Sequence, residues 1–185
     1  IGDPYTACPG IYGGHNWQSA TYDASRHLLF LPVHQLCSDM TPREVDLGPG
    51  GGGYGADVAT YPMPGKENKA GALLAIDVRT MEIKWRVEQQ ALFLSGAVST
   101  DGGLLFIGDL DRRFQALDTE TGRLLWYTRL PAPAHGYPIT YAAKGRQYVA
   151  IPAGIGVFRA LTAVIFPEIY QPPDGQGLFV FSLPE

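Results

Sequence analysis

Four histidines, two cysteines and two aspartates one residue apart are the groups here that could do chemistry, and their spacing excludes more than it supports. His15, His27, His34 and His135 are too scattered for a metal cluster and read as loop or packing histidines. Cys8 and Cys37 belong to no Cys-x-x-Cys-His haem signature and to no zinc pattern. They are either two unrelated buried thiols or one disulfide, whose loop of about 30 residues would make it worth roughly 3 kcal/mol. Asp109-Leu-Asp111 suggests a cation pair, but this pattern at a hairpin tip is ordinarily solvated turn chemistry, and no metal is expected there. Asn16, in Gly-Gly-His-Asn, carries two amide N–H donors suited to a carbonyl-rich ligand; by its neighbours alone it reads as a turn residue. The glycine-rich stretch 48–55 has no strand leading in and no helix leading out, which argues against a phosphate cradle.

The bulk properties narrow the partners. Net charge is −4, with no basic cluster and no run of like charges, so nucleic acid and anionic membranes are poor candidates. The longest late apolar patch, 160–167, falls far short of the roughly 18 residues a membrane helix needs. With 23 glycines and 15 prolines the chain is rich in turns, yet apolar runs recur between them, so it is not low-complexity. No signal peptide opens the sequence, and Ile1-Gly2-Asp3-Pro4 reads as an entry into a longer protein.

The elements that must position these groups show a repeat. Gly71–Trp85 lines up with Arg113–Trp126, so that Ala75, Asp77, Thr80 and Trp85 match Ala116, Asp118, Thr121 and Trp126, each 41 residues on. A period near 40 with short strands is that of a propeller blade. Each copy reads as a hairpin: apolar residues run into an Asp that accepts turn amides, Thr-Gly follows, and a second strand ends in Trp. Gly122 suits positive φ; the first copy has Met81 there, so that turn is expected to be built differently.

Further strands are expected at 20–23, 28–33, 102–108, 114–118, 138–141, 147–151 and 177–183. An irregular excursion is expected from the glycine-rich stretch to Lys69, a loop over 167–176, and no strong amphipathic helix. The chain is thus expected to be all-β, with four-stranded antiparallel blades, about three of them within a single domain over 1–185, and repeat units near 71–112 and 113–151.

These segments resemble the tryptophan docking motifs of the eight-bladed PQQ-dependent alcohol and methanol dehydrogenases, whose Ala, Asp, Thr-Gly and Trp recur at these spacings. The docking residues here would be Asp77, Trp85, Asp118, Gly122 and Trp126. Cys8–Trp17 with Ala20–Asp23 looks like the segment entering the family's cofactor pocket, and Leu31–Met40 resembles the strand and loop that follow. Thr100–Gly108, Tyr137–Tyr141 and Gly145–Ile151 are also similar to family phrases, so the likeness covers nearly the whole chain. It implies PQQ on the propeller axis, held with calcium or a lanthanide, an Asp as base on an alcohol, and electrons leaving to cytochrome c or a membrane quinone.

By resemblance, Asn16 faces the quinone edge with Trp17 beside it, and Cys8 and Cys37 form a disulfide, which implies a periplasmic setting. Ala153–Gly156 would approach the cofactor through backbone amides. Leu94 and Phe158 stand where methanol dehydrogenases carry cofactor-contacting tryptophans, a departure that argues against that subgroup. The catalytic Asp, the metal ligands and the vicinal cysteines belong to blades outside this sequence, so no catalytic or metal residue is expected here and the chain alone should be inactive. Remaining blades, on the same polypeptide or a partner chain, are implied. A sugar or polyol dehydrogenase of the same superfamily and a non-catalytic propeller scaffold are the alternatives.

Overall fold

The computed structural model describes residues 2–45, 48–49, 53, 55–156 and 158–182, with the side chains of Phe158 and Leu161 outside that description. Part of the glycine-rich stretch and Leu183 also lie outside the described residues. The elements are β1 (Tyr5–Ala7), β2 (Thr21–Asp23), β3 (Leu28–His34), β4 (Leu36–Pro42), β5 (Ala56–Pro62), β6 (Gly71–Asp77), β7 (Glu82–Gln89), β8 (Val98–Ser99) and β9 (Leu104–Gly108), then β10 (Arg113–Asp118), β11 (Leu124–Arg129), β12 (Ile139–Ala143), β13 (Arg146–Ala153), α1 (Phe158–Ile165) and β14 (Gly177–Ser182).

Three antiparallel sheets follow one another along the chain, in the orders β2-β3-β6-β7, β8-β9-β10-β11 and β12-β13-β14. The all-β expectation holds. The 41-residue period crosses sheet boundaries, because each repeat unit begins in the third strand of one sheet and ends in the second strand of the next. Buried Leu28, Phe30, Leu73 and Ala75 of the first sheet pack on Leu105, Ile107 and Leu117 of the second. Phe114 of the second packs with Val149, Ile151 and Ala153 of the third. Central β6 is buried almost throughout because both its faces are covered, whereas β3 alternates with the pleat.

The turns show why the repeat has its residues. Asp77 accepts the Arg79 amide at 3.0 Å; Asp118 accepts those of Glu120 and Thr121 at 3.0 and 2.9 Å. Asp23 does the same for Ser25 and Arg26. Each carboxylate thereby closes a turn with local donors, and Arg79 holds the Asp77 carboxyl well below its usual range. The small Ala75 and Ala116 lie opposite Trp85 and Trp126, and a bulge follows each alanine.

The expectation that Met81 forces a different turn is corrected. Met81 itself adopts φ +62°, against +71° at Gly122, and both amides donate back to the turn aspartate's carbonyl. The side chain is 73% exposed, so nothing packs against its Cβ, and the turn tolerates a backbone penalty of about 1–2 kcal/mol.

Two further expectations change. The excursion before Lys69 is ordered in part: β5 pairs with β4, and with β1 they form a separate three-stranded sheet inserted between β3 and β6. Alternation in Ala-Asp-Val-Ala-Thr-Tyr-Pro is weak, so the partner strand, not the segment, specifies this pairing. Cys8 and Cys37 are joined in a disulfide that ties the residue after β1 to buried β4.

The second change is α1, in the region read as an apolar patch before a loop. Buried Thr162, Phe166 and Ile169, with half-buried Ile165, recur at helical spacing, and the last three pack against Leu36, Leu92, Leu94 and Leu110. Exposed Ala163 and Val164 mask that pattern in the sequence.

Candidate functional site at the first-strand ends of the sheets

The first strands of the first and second sheets lie side by side, with Thr21 Oγ1 3.0 Å from Ser99 Oγ. The residues leading into the three first strands meet there. Ala97 N donates to Ser19 O at 2.9 Å, and Gly96 N donates to Gly136 O at 3.2 Å. Tyr137 Oη donates to Trp17 O at 2.8 Å. Gly96 permits this approach, since a Cβ there would sit 2.5 Å from Tyr137 Cδ1. Gly156 in turn faces the His135 ring, where a Cβ would lie 2.6 Å from Nδ1.

Asn16 and Trp17 are exposed at this end, just before β2. Asn16 Nδ2 donates to Tyr12 O at 3.3 Å. Gln18, next to them, is fully buried, and neither of its amide atoms has a hydrogen-bond partner among the described residues. An unpaired buried amide costs about 1–3 kcal/mol, so its retention points to a polar neighbour. Behind the site, His34 N donates to Gly14 O and His15 Nδ1 lies 2.8 Å from Pro32 O. Burial, with His15 nearby, lowers the pKa of His34 to about 4, which keeps its imidazole neutral at physiological pH. Burial also lowers the pKa of His135.

Leu94 is fully buried in the apolar cluster that Phe166 and Ile169 join. Phe158 opens α1, and its side chain lies outside the described residues. Ala153 ends β13, and the Gly154–Gly156 stretch after it reaches the site through the contact of Gly156 with His135. Of the docking residues, Trp85 reaches the next sheet: its Nε1 donates to Thr119 O at 2.9 Å, and its ring lies against Gly122 and 5.6 Å from Phe30. Trp126 packs edge-on to Phe181 at 5.4 Å but remains 40% exposed.

The expected solvated turn at Asp109 is corrected. Asp109 is 1% exposed and accepts Gln89 Nε2 and Arg113 N, each at 2.9 Å. Burial raises its pKa to about 6, with Gln89 and the Arg113 amide opposing the shift. The signal missed was its position: Asp109 opens the turn directly after β9 and bridges Phe93, so it points into the molecule. Sequence reasoning also missed Tyr137, Gln18 and His135, whose roles depend on burial or on partners far along the chain: His135 faces Gly156, 21 residues on, and Tyr137 and Trp17 are separated by 120.

A family model described as "PQQ: Glucose/ethanol/alcohol dehydrogenase, beta-propeller domain" matches residues 58–149. The chain is 34% identical over 174 residues to methanol dehydrogenase [cytochrome c] subunit 1 of Methylorubrum extorquens, covering 92% of this chain and 28% of that protein. It is 33% identical over 149 residues to the lanthanide-dependent methanol dehydrogenase of the same species, covering 80% and 25%. Among solved structures, a europium-containing methanol dehydrogenase superposes with a TM-score of 0.88 at 28% identity, over 98% of this chain and 35% of that one. The sheet order, the family model and the superposition agree on the fold, that of a segment of a quinoprotein β-propeller. Over 92% of its length the chain is homologous to the PQQ-dependent methanol and alcohol dehydrogenases, and it spans about 28% of the length of the curated relatives it matches.

The residues present fit one part of that cofactor's needs. Asn16, exposed at the first-strand ends, carries amide N–H groups that suit an acceptor-rich quinone. Among the described residues no three His, Cys, Asp or Glu side chains come together.

Proposed function

We propose that this chain is the later part of a periplasmic PQQ-dependent alcohol dehydrogenase. The observation that carries the reading is homology over nearly the whole chain, combined with Tyr137 holding the Trp17 carbonyl between Asn16 and Gln18 at the first-strand ends. When bound, PQQ supplies the two-electron acceptor that protein side chains lack. Asn16 would donate its second amide N–H to the quinone edge, while the surrounding sheet ends hold that edge in place and exclude water. Calcium or a lanthanide, and the base acting on a small alcohol, would come from other blades. Cytochrome c or a membrane quinone would take the electrons.

Those other blades have a docking place. Among the described residues the third sheet has three strands where the first two have four, and β14 is its outer strand. Trp85 rests on the turn before the fourth strand of the next sheet; the matching Trp126 faces a cavity of about 570 Å³ lined by Leu125, Phe106, Phe181 and Val149. A further antiparallel strand from the rest of a longer polypeptide, like those of the relatives, would fill it and give Trp126 Nε1 a carbonyl partner.

The native protein containing this chain should therefore bind PQQ, and Asn16→Ala should weaken that binding roughly three- to tenfold, read by titrating the quinone absorbance. A native particle that takes up no quinone with calcium or a lanthanide present would favour the scaffold reading. Turnover with primary alcohols rather than glucose would separate the alcohol from the sugar enzyme. The periplasmic assignment predicts that peptide mapping without reductant recovers Cys8 and Cys37 as one linked pair, and that reduction lowers stability by about 3 kcal/mol. Two free thiols in native protein would count against it.

A further inference from the structure

Residues 135–137 touch each of the three segments that converge on the site. His135 packs on Gly156, Gly136 O accepts from Gly96 N, and Tyr137 reaches Trp17 O. Tyr137 does so from the lead-in to β12, 120 residues from its acceptor, and its ring lies against Gly96, where a Cβ would meet it. The ring is 50% exposed, so burial alone does not explain its placement.

The stretch that receives this bond belongs to no strand. Chain 8–20 runs as turns and bends between β1 and β2. It is tethered upstream by His34 N to Gly14 O and downstream by Ala97 N to Ser19 O. Asn16 and Trp17 lie between those tethers, and the hydroxyl of Tyr137 grips the backbone there from another sheet. The gripped carbonyl shares its peptide unit with the backbone amide of Gln18, whose buried side chain has no hydrogen-bond partner among the described residues.

We propose that Tyr137 is a positioning residue for the quinone-facing end: by holding the Trp17 carbonyl it sets the direction of the Asn16 amide on one side and of Gln18 on the other. The proposal rests on the PQQ reading above. It assigns Tyr137 no contact with the reacting atoms. The ring fills the space left by Gly96, and the hydroxyl carries the positioning.

Tyr137→Phe in the native protein separates ring from hydroxyl. Amide exchange across residues 12–18 should quicken about three- to tenfold without cofactor, while the thermal midpoint stays near that of the parent. PQQ should bind about three- to tenfold more weakly, and the same change in an Asn16→Ala background should add little, because both act through one amide. Tyr137→Leu should also lower the thermal midpoint. Unchanged exchange over 12–18 in Tyr137→Phe overturns the clamp, and multiplying losses in the double variant overturn the link to Asn16. A parent protein that binds no PQQ overturns the cofactor reading and the role at the quinone with it; the exchange experiment then still decides whether the clamp exists.

Discussion

Replacing Trp85 with alanine should destabilise the protein by about 3–5 kcal/mol, the range for deleting a large packed aromatic. Three losses combine: contact with Phe30, contact with the turn at Gly122, and the indole bond that satisfies Thr119 O. Trp85→Phe keeps a ring and forfeits the bond, so it should cost less. Gly122→Ala attacks the same dock from the other side. Its Cβ would lie 2.8 Å from the Trp85 ring, on a residue at φ +71°. Overpacking and the left-handed conformation together predict about 2–4 kcal/mol. The two changes should not add: without the indole the clash disappears, and Gly122→Ala in a Trp85→Ala background should cost about 1–2 kcal/mol, the backbone penalty alone. Chemical denaturation of the four proteins checks this, and additive losses would show that the indole and the turn do not share a contact.

The second large effect concerns Asp109. Its folded pKa, about 6, lies above the ordinary carboxylate value of 3.8, so between those values the native state holds a proton the unfolded chain has released. Its favourable contribution is therefore complete below pH 3.8 and is lost as pH rises through 6, a decline of about 3 kcal/mol for two pK units. Glu88, lowered to about 2 chiefly by Lys66, works the other way, and its stabilisation is lost as pH falls. Asp109→Asn isolates the first effect. Gln89 can turn its amide to meet the new side chain, so the pair survives in neutral form. The stability difference between variant and parent should rise with pH from 4 to 7 and then level off. A difference that stays flat would mean that the Asp109 carboxyl already ionises near pH 4 in the folded protein.

What could be read from the residues alone is what short stretches of chain decide by themselves. Asp77 and Asp118 close their turns with amides two or three residues away, so their role is written in the local sequence. The same holds for alternation in β3 and for Ala75 and Ala116 facing Trp85 and Trp126, pairs that each hairpin brings together. The 41-residue period then made the succession of sheets legible. The disulfide followed from likeness to a family; nothing in the spacing of Cys8 and Cys37 required it.

Tertiary structure decided the rest, because burial and long-range partners have no local signature. Met81 shows that a turn's frame can impose positive φ on a residue that disfavours it. β5 is a strand because β4 lies alongside, and α1 is a helix with a buried side because Leu94 and Leu110 wait beneath it. Asp109 belongs to a tight turn in sequence and to the interior in space, and that inversion moves its proton toward neutral pH. At the site, Asn16 is singled out by family likeness, whereas the bonds beside it, Gly96 to Gly136 and Tyr137 to Trp17, form only when successive sheets stack. Sequence thus determined the blades and their turns, where the deciding hydrogen bonds are local; stacking of the blades determined which polar groups face one another, where those bonds span 120 residues.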